Sequence, residues 1–151
     1  HPRCPCSRAS LGELEKLSSR APGACDICVV SYRPSGAPAG WEQTGLFREA
    51  QRLGWPTRVD SGGTLAARFG ATTSGHVLVY NSQGHLAFSG GITGSRGHWG
   101  DNESADVALK AVRREISSGP SRPVYGCPLQ SPSPSSVLLQ PPPFAQDTDG
   151  R

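Results

Sequence analysis

The sequence predicts an α/β domain in which a mixed sheet is flanked by helices. Three observations carry that expectation. Apolar residues recur at helical spacing in several stretches, short β-branched runs alternate with them, and two of those runs are joined by a tight polar connection.

Residues 7–19 read as a helix, because Leu11, Leu14 and Leu17 repeat every third position among charged neighbours, and Ala21-Pro22-Gly23 stops it. Ile27 to Tyr32 is an apolar run suited to a strand covered on both faces. Trp41 to Leu53 forms a second helical pattern, followed by a short strand at 57–60. A brief helix at 64–69 follows, which Gly70 can close in a left-handed conformation. His76–Tyr80 and His85–Ser89, joined by Asn81-Ser82-Gln83-Gly84, predict an antiparallel hairpin. A glycine-rich loop at 90–102 leads to a last helix over about 103–117, with Ala105, Leu109, Val112 and Ile116 as its inner stripe and Asp101 or Asn102 as its cap.

A chain of 151 residues accommodates one domain, assigned to 1–129, and a tail. From Ser131 the sequence turns to Ser-Pro repeats and Pro141-Pro142-Pro143. That stretch has too little apolar content to offset ordering entropy, so 130–151 is expected to be disordered. The net charge of +3 is scattered, and the cluster of Lys110, Arg113 and Arg114 reads as a solvated helix face. Without a basic stripe interleaved with aromatics, nucleic acid is not an expected partner. No apolar run reaches the roughly 18 residues a membrane span requires. Because the chain opens on histidine and contains no methionine, a leader or membrane anchor is expected upstream of His1.

Chemistry concentrates in the five cysteines. Cys4 and Cys6, separated by Pro5, stand at the mouth of the first helix, where unpaired N–H groups and the helix dipole favour thiolate; Arg3 and Arg8 add positive charge. Cys4, read as the exposed one, is the candidate nucleophile, and Cys6 is placed to resolve a mixed disulfide. A Cys-Pro-Cys bridge closes a very small ring, which implies strain and an oxidising potential. Cys127, after the last helix, is the alternative resolving thiol. Cys25-Asp26-Ile27-Cys28 has redox spacing but leads into a strand, so structural thiols are favoured over a local disulfide or metal there. Two metal readings compete: zinc held by Cys4, Cys6, Cys25 and Cys28, and copper on His1, Cys4 and Cys6. His76 and His98 read as solvated histidines unless the fold brings their loops to a thiolate. Arg96 is a candidate for an anionic substrate, and Trp41, Trp55 and Trp99 read as packing residues.

The wording of four segments is more specific than the spacing. His1-Pro2-Arg3-Cys4-Pro5-Cys6-Ser7-Arg8, Phe69-Gly70-Ala71-Thr72-Thr73-Ser74-Gly75-His76, Gly90-Gly91-Ile92-Thr93-Gly94-Ser95-Arg96-Gly97-His98 and Tyr125-Gly126-Cys127-Pro128 resemble bacterial redoxins of the RedB type, within the thioredoxin-like superfamily. The resemblance covers roughly 1–129. It implies a thioredoxin-like fold whose first core strand, normally just before the cysteines, is missing here. It also implies thiol–disulfide oxidoreductase activity without an organic cofactor. Cys4 would attack, Cys6 or Cys127 would resolve, and Ser74, Gly75, His76 and Arg96 would contact substrate. Partners would be protein or small-molecule disulfides and thiols, and the location a bacterial cell envelope or periplasm, with cytoplasm as the alternative. The sequence departs from thioredoxins in placing one residue between the cysteines and in having Gly75 where the family has a cis-proline. A thiol peroxidase related to peroxiredoxins is the neighbouring enzymatic alternative, although His1 stands where those enzymes carry a threonine.

Overall fold

The structure, a computed structural model, describes residues 1–129; the tail expected to be disordered over 130–151 lies outside the described residues. Among the described residues eight elements follow one another: α1 (Pro5–Arg20), β1 (Val29–Arg33), α2 (Gly45–Arg52), β2 (Thr57–Ser61), α3 (Thr64–Arg68), β3 (Val77–Tyr80), β4 (Leu86–Gly90) and α4 (Glu103–Val112). Their order is the expected one.

The sheet is not. Instead of one mixed sheet, β1 pairs in parallel with β2, and β3 pairs antiparallel with β4, as two separate two-stranded sheets. Among the described residues no strand joins the two pairs, and none precedes α1.

The core lies between α1, α4 and the β3–β4 hairpin. Leu17, Phe88, Ile92, Ala108, Leu109 and Val112 are buried together, with Leu14, Val77, Val79 and Ile116 packed around them. Phe47 and Ala50 carry the buried face of α2.

Three helices depart from their expected outlines. The buried face of α1 runs through Cys6, Ala9, Ser10, Glu13 and Leu17, while Leu11 and Leu14 are half-buried. Glu13 is tolerated inside because its Oε1 accepts from Lys16 Nζ and from the Gly100 amide, each at 2.9 Å. That second bond ties the 91–102 loop to α1, and the half-exposed Trp99 lays its ring directly on Gly12. The helix expected from Trp41 starts only at Gly45. Turns closed by Trp41 N–H to Pro38 O and Gln43 N–H to Gly40 O precede it, and the Thr44 hydroxyl caps it by accepting from the Phe47 amide. At the other end of the chain α4 stops at Val112, five residues early, because Arg114 takes a left-handed φ of 61°. Asn102 is its cap, accepting from the Ala105 amide at 3.0 Å.

Asp60, 2% exposed, serves the fold: its two carboxylate oxygens accept the Leu65 and Ala66 amides, at 2.9 Å each, and so hold the start of α3. No described helix is long and apolar enough to cross a membrane.

Candidate active site

Cys4 is the N-cap of α1, with extended backbone (φ −95°, ψ 127°) and Pro5 in the first helical position. Its carbonyl already accepts from the Ser7 and Arg8 amides. The residue is 4% exposed, so the exposed nucleophile expected from the sequence is corrected to a buried one. The cause is a second segment of chain lying over it.

That segment is 126–129. Residues 122–124 run beside the end of β4, where the Arg122 amide donates to Ser89 O at 2.9 Å and the Gly91 amide to Pro123 O at 3.2 Å. The chain then pairs antiparallel with 72–74: Thr73 bridges Pro128, the Ser74 amide donates to Cys127 O at 2.9 Å, and the Leu129 amide donates to Thr72 O at 2.8 Å. The Ser74 side chain completes the contact by accepting from the Cys127 amide at 2.9 Å. Only glycine fits at 126, since a Cβ there would fall on the Ser74 carbonyl oxygen.

This pairing delivers Cys127 Sγ to 2.8 Å from Cys4 Sγ, with the Cys127 thiol donating. The two sulfurs, 123 residues apart in sequence, form one unit. Burial pushes the Cys4 thiol up, but hydrogen bonds from Cys127, from Ser74 and from the Ser7 and Cys6 backbone outweigh it, and its pKa falls to about 6. The partner moves the other way. Donation to Cys4, then burial and the negative charge on Cys4 and Cys6, raise Cys127, with Arg96 opposing. One member is thus poised as thiolate while the other keeps its proton.

The remaining candidates are placed as follows. Cys6 is buried in the first turn of α1, and its carbonyl accepts from Ser10 Oγ at 3.1 Å. Ser74 belongs to the sulfur site itself. Gly75 has φ +85° and lies so close to Ser10 that a side chain could not fit; no described peptide bond is cis. His76 is half-buried and meets Ser89 Oγ through Nε2 at 2.9 Å, and desolvation lowers its pKa. Arg96 is exposed on the 91–102 loop and reaches the site through its charge on Cys127.

The four cysteines of the zinc reading are not brought together. The rest of α1 after Cys6, residues 7–20 and about 21 Å of helix, lies between Cys6 and the loop that carries Cys25. Among the described residues no three His, Cys, Asp or Glu side chains converge as metal ligands, which also takes away the His1, Cys4 and Cys6 copper cluster.

A cleft of about 310 Å³ adjoins Cys4, lined also by Pro2, Arg3, Pro5, Arg8, Thr44 and Leu46. The sequence gives no reason to expect Thr44 and Leu46 at the site. Their signal is faint: the cap of α2 abuts the N-terminal segment, and Thr44 Oγ1 donates to Pro2 O at 3.1 Å.

The fold is similar to that of a hypothetical protein from Sinorhizobium meliloti, with a TM-score of 0.60 over 85% of this chain and 74% of that one. At 20% identity the likeness concerns the fold alone. No family model and no curated protein matches the chain.

Proposed function

We propose that the protein is a thiol–disulfide oxidoreductase of thioredoxin-like, RedB-type character, working through Cys4 and Cys127. The observation that supports it most is the 2.8 Å contact between a thiolate-prone sulfur and a protonated one. The Cys4 thiolate attacks a substrate disulfide along the S–S axis. A Cys4–substrate bond forms, and the far substrate sulfur leaves as a thiolate that takes up a proton. Cys127 then loses its proton and attacks Cys4 Sγ, and the second substrate sulfur departs. The substrate has gained two electrons, and the protein carries a Cys4–Cys127 disulfide, which an external dithiol reduces.

Geometry therefore favours Cys127 over Cys6 as the resolving thiol. Its partners would be disulfides and thiols that reach a buried sulfur. A bacterial envelope location is supported by the motif resemblance.

The decisive experiment mixes reduced protein with one equivalent of a small disulfide and maps the linkages by mass spectrometry. The expected product is Cys4–Cys127, with Cys6 free. In Cys127→Ser a mixed disulfide on Cys4 accumulates, and Cys4→Ser forms neither. A Cys4–Cys6 bridge formed at the unaltered rate in Cys127→Ser would overturn the assignment.

One observation favours a second reading. A cysteine only 4% exposed is more open to a hydroperoxide than to a folded protein's disulfide. In that case the Cys4 thiolate takes the terminal oxygen as sulfenic acid, releasing water or alcohol, and Cys127 condenses with it and expels water. Stoichiometric consumption of hydrogen peroxide, faster than reaction with any disulfide, selects this reading.

A further inference from the structure

The cleft beside Cys4 has a chemical bias. Two of its lining residues are arginines, none is acidic, and the rest of the wall is Pro2, Pro5, Leu46 and Thr44. The Thr44 hydroxyl is already engaged, donating to Pro2 O and accepting from the Phe47 amide. Arg3 is held in place: its guanidinium carbon sits 4.5 Å over the Trp41 ring, and Nη2 donates to Trp41 O at 3.2 Å. Arg8 is different. It lies four residues after Cys4, hence on the same side of α1, is exposed, and has no carboxylate partner among the described residues. A positioned cation and an unengaged one thus share a small apolar-walled cleft with the reactive sulfur.

We infer that this cleft binds small disulfides bearing a carboxylate near the sulfur, with Arg8 as the principal anion contact. The inference rests on the thiol–disulfide reading above and adds its substrate class. A volume of about 310 Å³ admits a ligand of a few amino acids' size and no folded domain. The carboxylate pairs with Arg8, the apolar wall covers the methylenes, and the nearer sulfur meets Cys4. The bond made is Cys4–S, the bond broken is the substrate S–S, and the leaving thiolate takes up a proton.

The test compares second-order rate constants for oxidation of the reduced chain by dithiodipropionate (anionic), hydroxyethyl disulfide (neutral) and cystamine (cationic). The expected order is anionic, then neutral, then cationic, with a spread that shrinks as salt is raised. In Arg8→Gln the ratio of anionic to neutral rate constants falls about fivefold, the scale of one exposed charge contact. In Arg8→Glu the preference between anionic and cationic disulfides reverses. Lys110→Gln removes the same charge from α4, outside the cleft lining, and keeps the unaltered ratio. Taking ratios within each variant cancels any change in Cys4 acidity. Equal rate constants for all three disulfides, or a ratio unmoved by Arg8→Gln, overturn the inference and leave the thiol–disulfide reading standing. Failure of every disulfide to oxidise Cys4 overturns both.

Discussion

The chain carries two cysteine pairs, and the one that looks more like a redox motif is the less equipped for it. Cys25 and Cys28 have the familiar two-residue spacing, yet both are exposed and unpaired just ahead of β1 and at the start of no helix. Partial desolvation of the thiol, although the residue is exposed, and then the neighbouring Asp26 carboxylate push Cys25 up, away from thiolate. Cys4 and Cys127 share no local motif, but a helix N-terminus and a returning strand-like segment bring them together. In the proposed function two cysteines act as a redox pair through the donors around them, and spacing matters only where it produces those donors.

The sharpest way to break this contrast is to titrate alkylation of each cysteine by a small neutral reagent. Cys4 is expected to show an inflection near pH 6, so about 90% of it is thiolate at pH 7, whereas Cys25 inflects above the ordinary cysteine range. A common inflection for the two removes the electrostatic difference on which the contrast stands. Next in size is Ser74→Ala. It deletes a donor to the Cys4 sulfur and the acceptor of the Cys127 amide; the lost donor, worth roughly 1 kcal/mol, moves the Cys4 inflection up by about 0.7, so the thiolate fraction at pH 6.5 falls about twofold. The motif resemblance instead sets Ser74 against substrate. An inflection unchanged in Ser74→Ala, with a weakened apparent affinity instead, returns it to that role.

Much of the fold is legible in the sequence because helix signals are local. The start of α4 at Asn102 and the stop of α1 after Arg20 are written in a cap and in Ala21-Pro22-Gly23. The inner face of α1 is not, because a leucine stripe outweighs a glutamate on any hydropathy scale. The burial of Glu13 draws on Lys16 one turn away and on the Gly100 amide from a loop 87 residues away. The site divides along the same line. The place of Cys4 at a helix mouth and the direction of its shift follow from a few residues of sequence, but the largest lowering contacts, from Cys127 and Ser74, do not. The burial of Cys4 and its choice of Cys127 depend on the 72–74 and 126–129 segments pairing, and nothing local announces that Gly126 must sit on the Ser74 carbonyl. The single mixed sheet fails because, among the described residues, no strand stands between the β1–β2 and β3–β4 pairs to join them.

A smaller effect follows from linkage. The Cys4 thiol ionises near 6 in the folded chain and near 9 when unfolded. Between those values the unfolded state binds the extra proton, so the stability of the reduced protein rises with pH across that window and is lost as pH falls through 6. Cys127 is shifted upward, so its opposing contribution appears only above the ordinary cysteine range. Urea midpoints of the reduced chain should climb from pH 6 to 9, and the climb should flatten in Cys4→Ser relative to Cys25→Ser. Equal slopes in the two variants contradict the assigned acidity.

The smallest expected effect is the one that tests the contrast from its other side. Replacing both Cys25 and Cys28 by serine removes two exposed thiols that lie beyond the far end of α1 from Cys4. Serine keeps their size and polarity, and surface changes of this kind move stability by about half a kcal/mol or less. Formation of the Cys4–Cys127 disulfide in the double variant should therefore proceed within about twofold of the parent rate, that margin being the same half kcal/mol read as a rate. A tenfold loss would mean that electrons pass between the two pairs during turnover. The exposed motif would then be a second station on one relay, and the difference in thiol acidity between the two pairs would set the direction of flow.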